Sequence, residues 1–235
     1  MQLFYNPNIS SETNQIIFNK DESRHIVRVL RKKEGDILHI TNGKGWLFTS
    51  EISVANDKKC VATIIHSEEK QKDWNYYLHI AIAPTKNNDR LEWFLEKATE
   101  IGIDEITPII CQNSERTVVK KERLEKIIQS AMKQSLKFTL PRLNDAIKFS
   151  DFINKPLQGD VFIAHCEESD KKTLKEVVKL NTNITILIGP EGDFSSSEIK
   201  ISSDKKLIPI TLGKSRLRTE TAALVVTQNI SFLHQ

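Results

Sequence analysis

The sequence contains little of the material from which disulfide frameworks and metal centres are built. Its three cysteines, Cys60, Cys111 and Cys166, are far apart and odd in number, which excludes a disulfide framework and a Cys-x-x-Cys pair. We predict that all three are buried thiols. The six histidines are scattered without the spacing of a zinc site, so we expect a protein that holds no metal.

Long hydrophobic runs are absent as well. No stretch of about 18 apolar residues occurs, and residues 1–7 lack the basic and apolar segments of a secretory leader. Hydrophobic residues make up 39% and charged residues 28% of the 235-residue chain, which is typical of a folded globular protein. We therefore expect a cytoplasmic protein without a membrane partner.

The common nucleotide-binding signatures are also missing. The loop Gly189-Pro-Glu-Gly192 follows an apolar run, but it lacks both the Gly-Lys-Ser/Thr ending of a P-loop and the third glycine of the dinucleotide fingerprint. Pro190 removes a backbone N–H that would face a phosphate, and Glu191 and Asp193 add negative charge. The loop therefore favours a neutral or cationic ligand.

Excess charge is small overall but concentrated locally. The formal net charge is +3, yet residues 112–148 contain nine Lys and Arg against four acids, and residues 24–33 form a second basic cluster. Two such patches suit a polyanion that spans both. Solvated lysines on exposed helix faces would produce the same pattern at either patch alone.

Apolar periodicity divides the chain near residue 72. Residues 1–72 contain short alternating runs at 36–40, 45–49 and 60–65, a turn at Asn42-Gly43 and one helix over 21–30 capped by Asp21. The polar run at 67–73 reads as a linker. We therefore predict a small β-rich domain over residues 1–72 and a second domain over residues 73–235.

The second domain has an alternating strand and helix pattern. Strands are predicted at 77–83, 105–110, 160–164, 184–188 and 207–212, and helices at 89–101, 121–136, 172–180, 196–201 and 219–233. Strands that alternate with helices imply a parallel sheet covered on both faces, so this domain belongs to the α/β class.

Two of these strands break at glycines and lead into helices. The first segment runs over residues 184–194 and the second over residues 207–223. Loops at the carboxyl ends of parallel strands would offer backbone groups to one small polar ligand. The pattern therefore indicates a cofactor site, and with it an enzyme.

Several motifs occur together in a fixed order. They are His25-Ile-Val-Arg-Val-Leu-Arg31 with Gly35-Asp36, Lys86 with Glu92 and Lys97-Ala-Thr-Glu-Ile-Gly102, Gln134-Ser135 before Pro141, Ile188-Gly-Pro-Glu-Gly192 with Glu198, and Leu212-Gly213 with Leu217-Arg-Thr-Glu-Thr-Ala222. As a set, over essentially the whole chain, they closely resemble the SPOUT-class methyltransferases that modify N3 of one uridine in small-subunit ribosomal RNA. Asp193 occupies the position directly after Gly192, where the family commonly has a glycine.

The resemblance implies an architecture and its partners. It implies an N-terminal PUA-like β-barrel domain that binds RNA and a C-terminal SPOUT α/β domain with a deep trefoil knot. It further implies a homodimer that holds S-adenosylmethionine in the knot loops and acts on 16S ribosomal RNA or the small ribosomal subunit.

Site residues follow from this resemblance and from the chemistry. We expect cofactor contacts from Ile188, Gly189, Pro190, Glu191, Gly192, Leu212, Gly213, Leu217, Arg218 and Thr221. Uracil N3 is a poor nucleophile until its proton is removed, so a base or a cation that stabilises the uracil anion should assist. Arg218 is the candidate cation, and Glu191 or Glu220 the candidate base.

The same side chains have structural interpretations. Thr219 would cap the last helix and Glu220 would complement its dipole. Glu191 would hold its loop through backbone amides, and Arg218 would pair with either acid.

For RNA, we expect the target uridine to leave its stack and phosphates to contact basic side chains. The candidates are Arg24, Arg28, Arg31, Arg116, Lys120 and Lys121. Trp46, Trp74 and Trp93 would stack on bases or, more in keeping with their apolar surroundings, lie in the core.

Two other functions fit parts of this pattern. One is a ribose 2′-O RNA methyltransferase of the same fold, and the other is a noncatalytic RNA-binding protein of ribosome assembly. A binder would need the basic patches but not the glycine loops, so the loops favour an enzyme.

Overall fold

The alternating runs near the amino terminus form a five-stranded sheet in a computed structural model that describes residues 1–235. Its strands are β1 (Leu3–Tyr5), β2 (Gln15–Ile17), β3 (Ile37–Thr41), β4 (Trp46–Val54) and β5 (Val61–Glu69). The spatial order is β1-β3-β4-β5-β2, with β1 parallel to β3 and the other pairs antiparallel. The predicted linker at 67–73 begins too early, because Ser67–Glu69 pair with the start of β4.

The predicted helix over 21–30 consists of two different turns. Helix α1 (Lys20–Arg24) begins after Asn19, whose side chain accepts a hydrogen bond from the Glu22 N–H, so Asn19 caps it instead of Asp21. A π-helical turn over His25–Val29 follows, closed by the Leu30 N–H bonding to the His25 carbonyl. The wider turn keeps Ile26 fully buried, while Val29 is exposed.

This first unit is not continuous in sequence. It comprises Met1–Lys72 together with Met132–Leu140, whereas the second unit comprises Asp73–Ala131 and Pro141–Gln235. The Gly45 N–H donates to the Phe138 carbonyl at 2.9 Å, and the Leu140 N–H donates to the Gly43 carbonyl at 2.8 Å. Residues 132–140, which the sequence assigns to the second domain, therefore fold with the first unit.

The core of the first unit consists of apolar residues from its strands and its helical segment. Its members are Phe4, Ile9, Ile16, Phe18, Ile26, Leu38, Ile40, Phe48, Ile52, Cys60 and Ala62. Cys60 is fully buried, which confirms the prediction for this thiol.

The second unit contains an eight-stranded sheet. Its strands are β6 (Tyr77–Ile82), β7 (Glu105–Ile110), β8 (Arg142–Leu143), β9 (Ile147–Lys148), β10 (Asp160–Ala164), β11 (Lys172–Thr173), β12 (Asn183–Ile188) and β13 (Ile208–Thr211). The order is β11-β13-β10-β12-β6-β7-β8, β9 pairs with β7, and every pair is parallel. The predicted α/β class is confirmed.

Five helices connect these strands and a sixth follows the last one; they are α2 (Asn88–Ile101), α3 (Lys121–Gln134), α4 (Phe149–Phe152), α5 (Leu174–Val177), α6 (Ser196–Asp204) and the terminal α7 (Thr219–Leu233). The predicted helix over 172–180 is wrong in extent. Residues 172–173 add to the sheet edge, and the extended backbone of Val178 ends α5 after one turn. No helix is long and apolar enough to span a bilayer.

The central strands are buried on both faces. Consecutive residues from Leu78 to Ala83 in and after β6 are all buried, so neither side of this strand faces solvent. On one face Ala81, Ile163 and Leu187 belong to a cluster that includes Phe152 and Phe194. Among the tryptophans, Trp93 is 42% exposed, which contradicts its prediction as a core residue, and Trp46 and Trp74 are half-buried.

Candidate functional site

The glycine loops lie at the carboxyl ends of three adjacent strands, β10, β12 and β13, where the sequence pattern indicated two strands. Strand β10 lies between β12 and β13, and Ala164 is in register with both Ile188 and Ile210. The two loop-bearing strands are therefore separated by a third strand, which the sequence pattern did not place there. In a parallel sheet all carboxyl ends share one edge, so the residues after strand 160–164 were identifiable as part of this site.

A cavity of about 740 Å³ opens at this edge. Eight of the expected cofactor residues line it: Ile188, Gly189, Pro190, Glu191, Leu212, Gly213, Leu217 and Arg218. Gly192, Thr221 and Glu220 are not among its lining residues. Further lining side chains that the sequence did not predict include Arg90, His165, Cys166, Lys171 and Arg216.

A buried hydroxyl joins the two glycine loops. Thr219 Oγ1 donates a hydrogen bond of 3.0 Å to the Gly189 carbonyl. The sequence predicts Thr219 as the cap of α7, but the residue at the cap position is Arg218, which makes no capping side-chain bond. The prediction is wrong because the Thr219 hydroxyl is directed to a tertiary partner.

Glu191 connects its loop to the segment before α2. Its Oε1 accepts a hydrogen bond of 3.0 Å from the backbone N–H of Lys86. The Arg216 guanidinium donates to the Glu191 carbonyl at 3.3 Å. The carboxylate therefore bonds to an amide, but that amide belongs to a different segment from its own loop.

Asp193 occupies the left-handed backbone region, with φ of 62°. This conformation favours glycine, although aspartate tolerates it better than most residues. Its carboxylate accepts hydrogen bonds from the N–H groups of Phe194 at 2.9 Å and Cys166 at 2.6 Å. The acid thus ties the glycine loop to the end of β10 at a position where glycine could not.

The glycines at the site have different surroundings. A Cβ on Gly189 would lie 3.0 Å from the buried Phe194 ring, and one on Gly192 would lie 3.2 Å from Asn113 Cβ. Gly213 has φ of 117°, and a Cβ there would meet no atom within 4 Å. The first two allow close packing of the loop, whereas Gly213 faces open space beside the cavity.

His165 and Cys166 follow β10 directly. His165 is 9% exposed, and its Nδ1 is buried without a hydrogen-bond partner. Burial, together with the charge of Lys171, lowers the pKa of His165, so the ring is neutral near pH 7. Cys166 is exposed, which contradicts the prediction of a buried thiol, whereas Cys111 is buried as predicted.

The acids and cations around the cavity are unequally paired. Glu220 is 6% exposed, its Oε1 lies 3.8 Å from Arg90 Nε, and its Oε2 is buried without a partner. Arg218 is exposed, and its side chain makes neither a hydrogen bond nor an ion pair, although its backbone carbonyl accepts from the Ala222 N–H at 2.8 Å. The predicted pairing of Arg218 with Glu191 or Glu220 is therefore absent.

Basic side chains in the first unit surround its helical segment. Arg24 and Arg28 lie on the two helical turns, and Arg31, with φ of 55°, follows them. Arg28 forms an exposed ion pair of 2.8 Å with Asp57. Arg31 lines a shallow depression with Lys32 and Lys33.

The three candidates in the second unit differ in their partners. Arg116 donates to the Lys86 carbonyl at 2.8 Å, and Lys121 pairs with Asp145 at 2.9 Å. Lys120 is exposed. The stretch therefore offers fewer unpaired charges than its sequence suggests.

Comparisons with known proteins agree with this architecture. Residues 72–231 match the sequence profile described as an RNA methyltransferase domain, and residues 18–65 match that of an RNA methyltransferase PUA domain. The chain is 30% identical over 226 residues to ribosomal RNA small subunit methyltransferase E of Rickettsia conorii, covering 95% of this chain and 92% of that protein. The chain belongs to the ribosomal RNA small subunit methyltransferase E family.

Solved structures similar to this member of the methyltransferase E family cover almost its full length. One is described as a probable rRNA-methyltransferase from Porphyromonas gingivalis, with a TM-score of 0.92, 42% identity and coverage of 100% of this chain and 98% of that one. Another is ribosomal RNA small subunit methyltransferase E from Neisseria gonorrhoeae bound to S-adenosyl methionine, with a TM-score of 0.83, 27% identity and coverage of 99% and 98%.

Proposed function

We propose that this chain transfers a methyl group from S-adenosylmethionine to N3 of one uridine in 16S ribosomal RNA. The observation that carries the proposal is the cavity at the carboxyl ends of three parallel strands, in a chain that belongs to the methyltransferase E family. The related protein from Neisseria gonorrhoeae was crystallised with this cofactor.

The residues around the cavity suit that cofactor. Its volume of about 740 Å³ lies in the usual range for small-molecule sites, and the space beside Gly213 is open. Glu191 and Asp193 supply negative charge for a cationic sulfur. Ile188, Leu212 and Leu217 would form apolar walls for adenine. The unpaired Nδ1 of His165 could bond to a polar atom of the ligand.

When bound, the cofactor supplies an electrophilic methyl carbon on a positively charged sulfur. For transfer to N3, the uracil proton would pass to a base, for which Glu191 is the candidate, and the N3 electron pair would replace the sulfur as the bonding partner of that carbon. The chain has to align the reacting atoms in line and exclude water. Arg218, at the cavity wall without a partner, would stabilise the uracil anion.

The candidate bases differ in position. Glu191 lines the cavity and lies near the reacting atoms in this proposal, whereas Glu220 does not line it. We therefore retain Glu191 as the candidate base.

The proposal for RNA assigns Arg24, Arg28 and Arg31 of the PUA-containing unit to phosphate contacts, extended by Arg116, Lys120 and Lys121 of the catalytic unit. The matched PUA domain and the basic side chains support it. The homodimer, the trefoil knot and the small ribosomal subunit as a partner belong to the same proposal, and they rest on membership of the family.

Mass spectrometry of 16S RNA from cells with and without the protein tests the reaction. We expect one N3-methyluridine to disappear when the protein is removed and to return when purified protein and cofactor are added. A missing ribose 2′-O-methyl group would identify the other methyltransferase reaction, and unchanged RNA would identify a noncatalytic binder.

A further inference from the structure

Arg90 reaches the cofactor cavity from a part of the fold that no other lining residue shares. It lies in the first turn of α2, whereas every other residue of the lining belongs to the segment from Ala164 to Ala222. That segment contains the loops proposed to hold the cofactor. Arg90 therefore lines the cavity from a different side, where its guanidinium could contact the second reactant, the RNA base.

The Arg90 guanidinium has a buried anionic partner. Its Nε lies 3.8 Å from Glu220 Oε1, and the side-chain exposures are 36% for Arg90 and 7% for Glu220. The other Glu220 oxygen is buried and has no hydrogen-bond partner. A carboxylate removed from water needs a nearby cation, so Glu220 restricts where Arg90 can lie.

The pairing gives Arg90 a property that Arg218 lacks. Arg218 is exposed and has no partner to orient it. Catalytic donors are most effective when they are fixed before the reaction, because no reorganisation is then required as charge develops. Arg90, which is paired with Glu220, meets this requirement better than the unpaired Arg218 does.

The pair also suits a site that must accept a sulfonium ion. Because the Arg90 guanidinium is balanced by Glu220, the pair has little net charge and adds less repulsion toward the positive sulfur than an unpaired cation would. Its N–H groups remain able to donate hydrogen bonds to an acceptor that becomes negative. Arg90 can therefore assist the acceptor without opposing cofactor binding.

We propose that Arg90 donates hydrogen bonds to the target uracil and stabilises the anion that forms when N3 loses its proton. Glu220 is then a positioning residue that orients Arg90, and it is not the base. Arg90 keeps its own protons throughout, and the N3 proton leaves by another route. This inference rests on the proposed function.

The test separates cofactor binding from turnover. In Arg90→Ala, we expect turnover of small ribosomal subunits at saturating cofactor to fall about 100-fold, the size expected for losing one oriented donor. Calorimetry should give an affinity for S-adenosylhomocysteine that is unchanged. Arg90→Lys keeps the charge but loses the planar fork, so we expect an intermediate loss of about tenfold.

Glu220→Gln distinguishes positioning from proton transfer. We expect turnover to fall about tenfold while the pH–rate profile keeps the shape of the unsubstituted enzyme, since no titrating base has been removed. Loss of the acidic limb would show that Glu220 is the base and would overturn the inference. Circular dichroism and thermal unfolding verify that each variant is folded.

A more acidic target gives a readout that a purely structural role would not change. If 5-fluorouridine replaces the target uridine, the N3 anion forms more easily, and the defect of Arg90→Ala should shrink about tenfold. Lys97→Ala is the matched control on the same helix, since it removes an ion pair of 2.7 Å with Glu96 away from the cavity. We expect the control to show unchanged turnover.

The outcomes distinguish this inference from the proposed function. An unsubstituted enzyme that neither binds the cofactor product nor methylates RNA would remove the proposed function itself. An active enzyme whose Arg90→Ala variant loses affinity for S-adenosylhomocysteine in proportion to turnover would show that Arg90 binds the cofactor. In that case the inference fails and the proposed function stands.

Discussion

The Thr219 hydroxyl and the Gly189 carbonyl are joined by a buried hydrogen bond of 3.0 Å, although the two residues are 30 positions apart. Thr219 is the first residue of α7, and Gly189 directly follows β12. The bond therefore fixes one glycine loop against the other, and the spacing of the proposed cofactor walls depends on it.

Thr219→Val should weaken both the site and the fold. It leaves the Gly189 carbonyl without its donor, which costs about 1–3 kcal/mol of unfolding free energy, and it allows the loops to separate. We expect weaker binding of S-adenosylhomocysteine by calorimetry and a lower midpoint in urea. Thr227→Val is the control, because its hydroxyl bonds to the Ala223 carbonyl within α7. Equal affinity in both variants would contradict the role of the loop contact.

Gly213→Ala should reduce the affinity for the cofactor without disturbing the packing of the protein. The positive φ makes any Cβ strained by about 1 kcal/mol, but no protein atom lies within 4 Å to clash with it. Gly35→Ala is the matched control, with φ of 87° and the same open surroundings in the first unit. We expect similar losses in unfolding free energy and reduced cofactor affinity only for Gly213→Ala. Reduced affinity in both, or in neither, would count against the site.

Asp57→Asn should strengthen RNA binding. Asp57 is paired with Arg28, and the hydrogen bond from Arg28 holds the pKa of Asp57 below its ordinary value. Removing the negative charge frees Arg28 for phosphate, so the affinity should rise and its dependence on salt should steepen. Arg28→Ala should weaken binding and flatten the salt dependence. Filter binding across a salt series measures both, and an unchanged slope in both variants would exclude this patch from the RNA path.

His79 should make the fold sensitive to mild acid. Its Nε2 is 2.7 Å from Thr107 Oγ1, and burial lowers its pKa below 6.5 despite the opposing charge of Glu105. As the pH falls below 6.5, His79 becomes protonated in the unfolded chain but stays neutral in the native state. The native state therefore loses stability relative to the unfolded state. Urea unfolding of His79→Gln should therefore show a smaller loss between pH 7 and about 5.

Two other groups with shifted pKa values, His165 and Glu105, bear differently on this measurement. The lowered pKa of His165 acts in the same direction and window, so the double variant with His165→Gln should show a flatter profile still. Burial alone would raise the pKa of Glu105, but hydrogen bonds from Tyr77 and Asn144 more than offset it, and the pKa is lowered. Its contribution is lost only below pH 4.5, outside the tested window. An unchanged slope in the single variant would contradict the role of His79.

Long periodic segments were predictable because their own residues determine them. Strand β6 and helices α2 and α7 carry apolar patterns that match their environment over several turns or pleats. The two-residue strands β8, β9 and β11 have no such pattern, and they exist because a neighbouring strand offers unpaired backbone groups. Sequence periodicity cannot detect an element that short.

The cofactor cavity was predictable in part for a similar reason. Glycines after apolar runs indicated both loops, but strand order determines which other loops meet them, and β10 was not placed between them. Thr219 was assigned to a helix cap because threonine before an acidic first turn usually has that role. Its tertiary partner, Gly189, is 30 residues away and leaves no local signal.

The first unit includes residues 132–140, which are synthesised long after its sheet, and this affects how the chain folds during synthesis. The amino-terminal sheet cannot complete its hydrogen bonds at Gly43 and Gly45 until Phe138 and Leu140 have left the ribosome. A fragment that stops at residue 72 would leave these backbone groups without their native partners. Translation must therefore extend almost twice as far as the first sheet itself before the turn between β3 and β4 can make these bonds, and an excised RNA-binding module needs this distant segment to keep them.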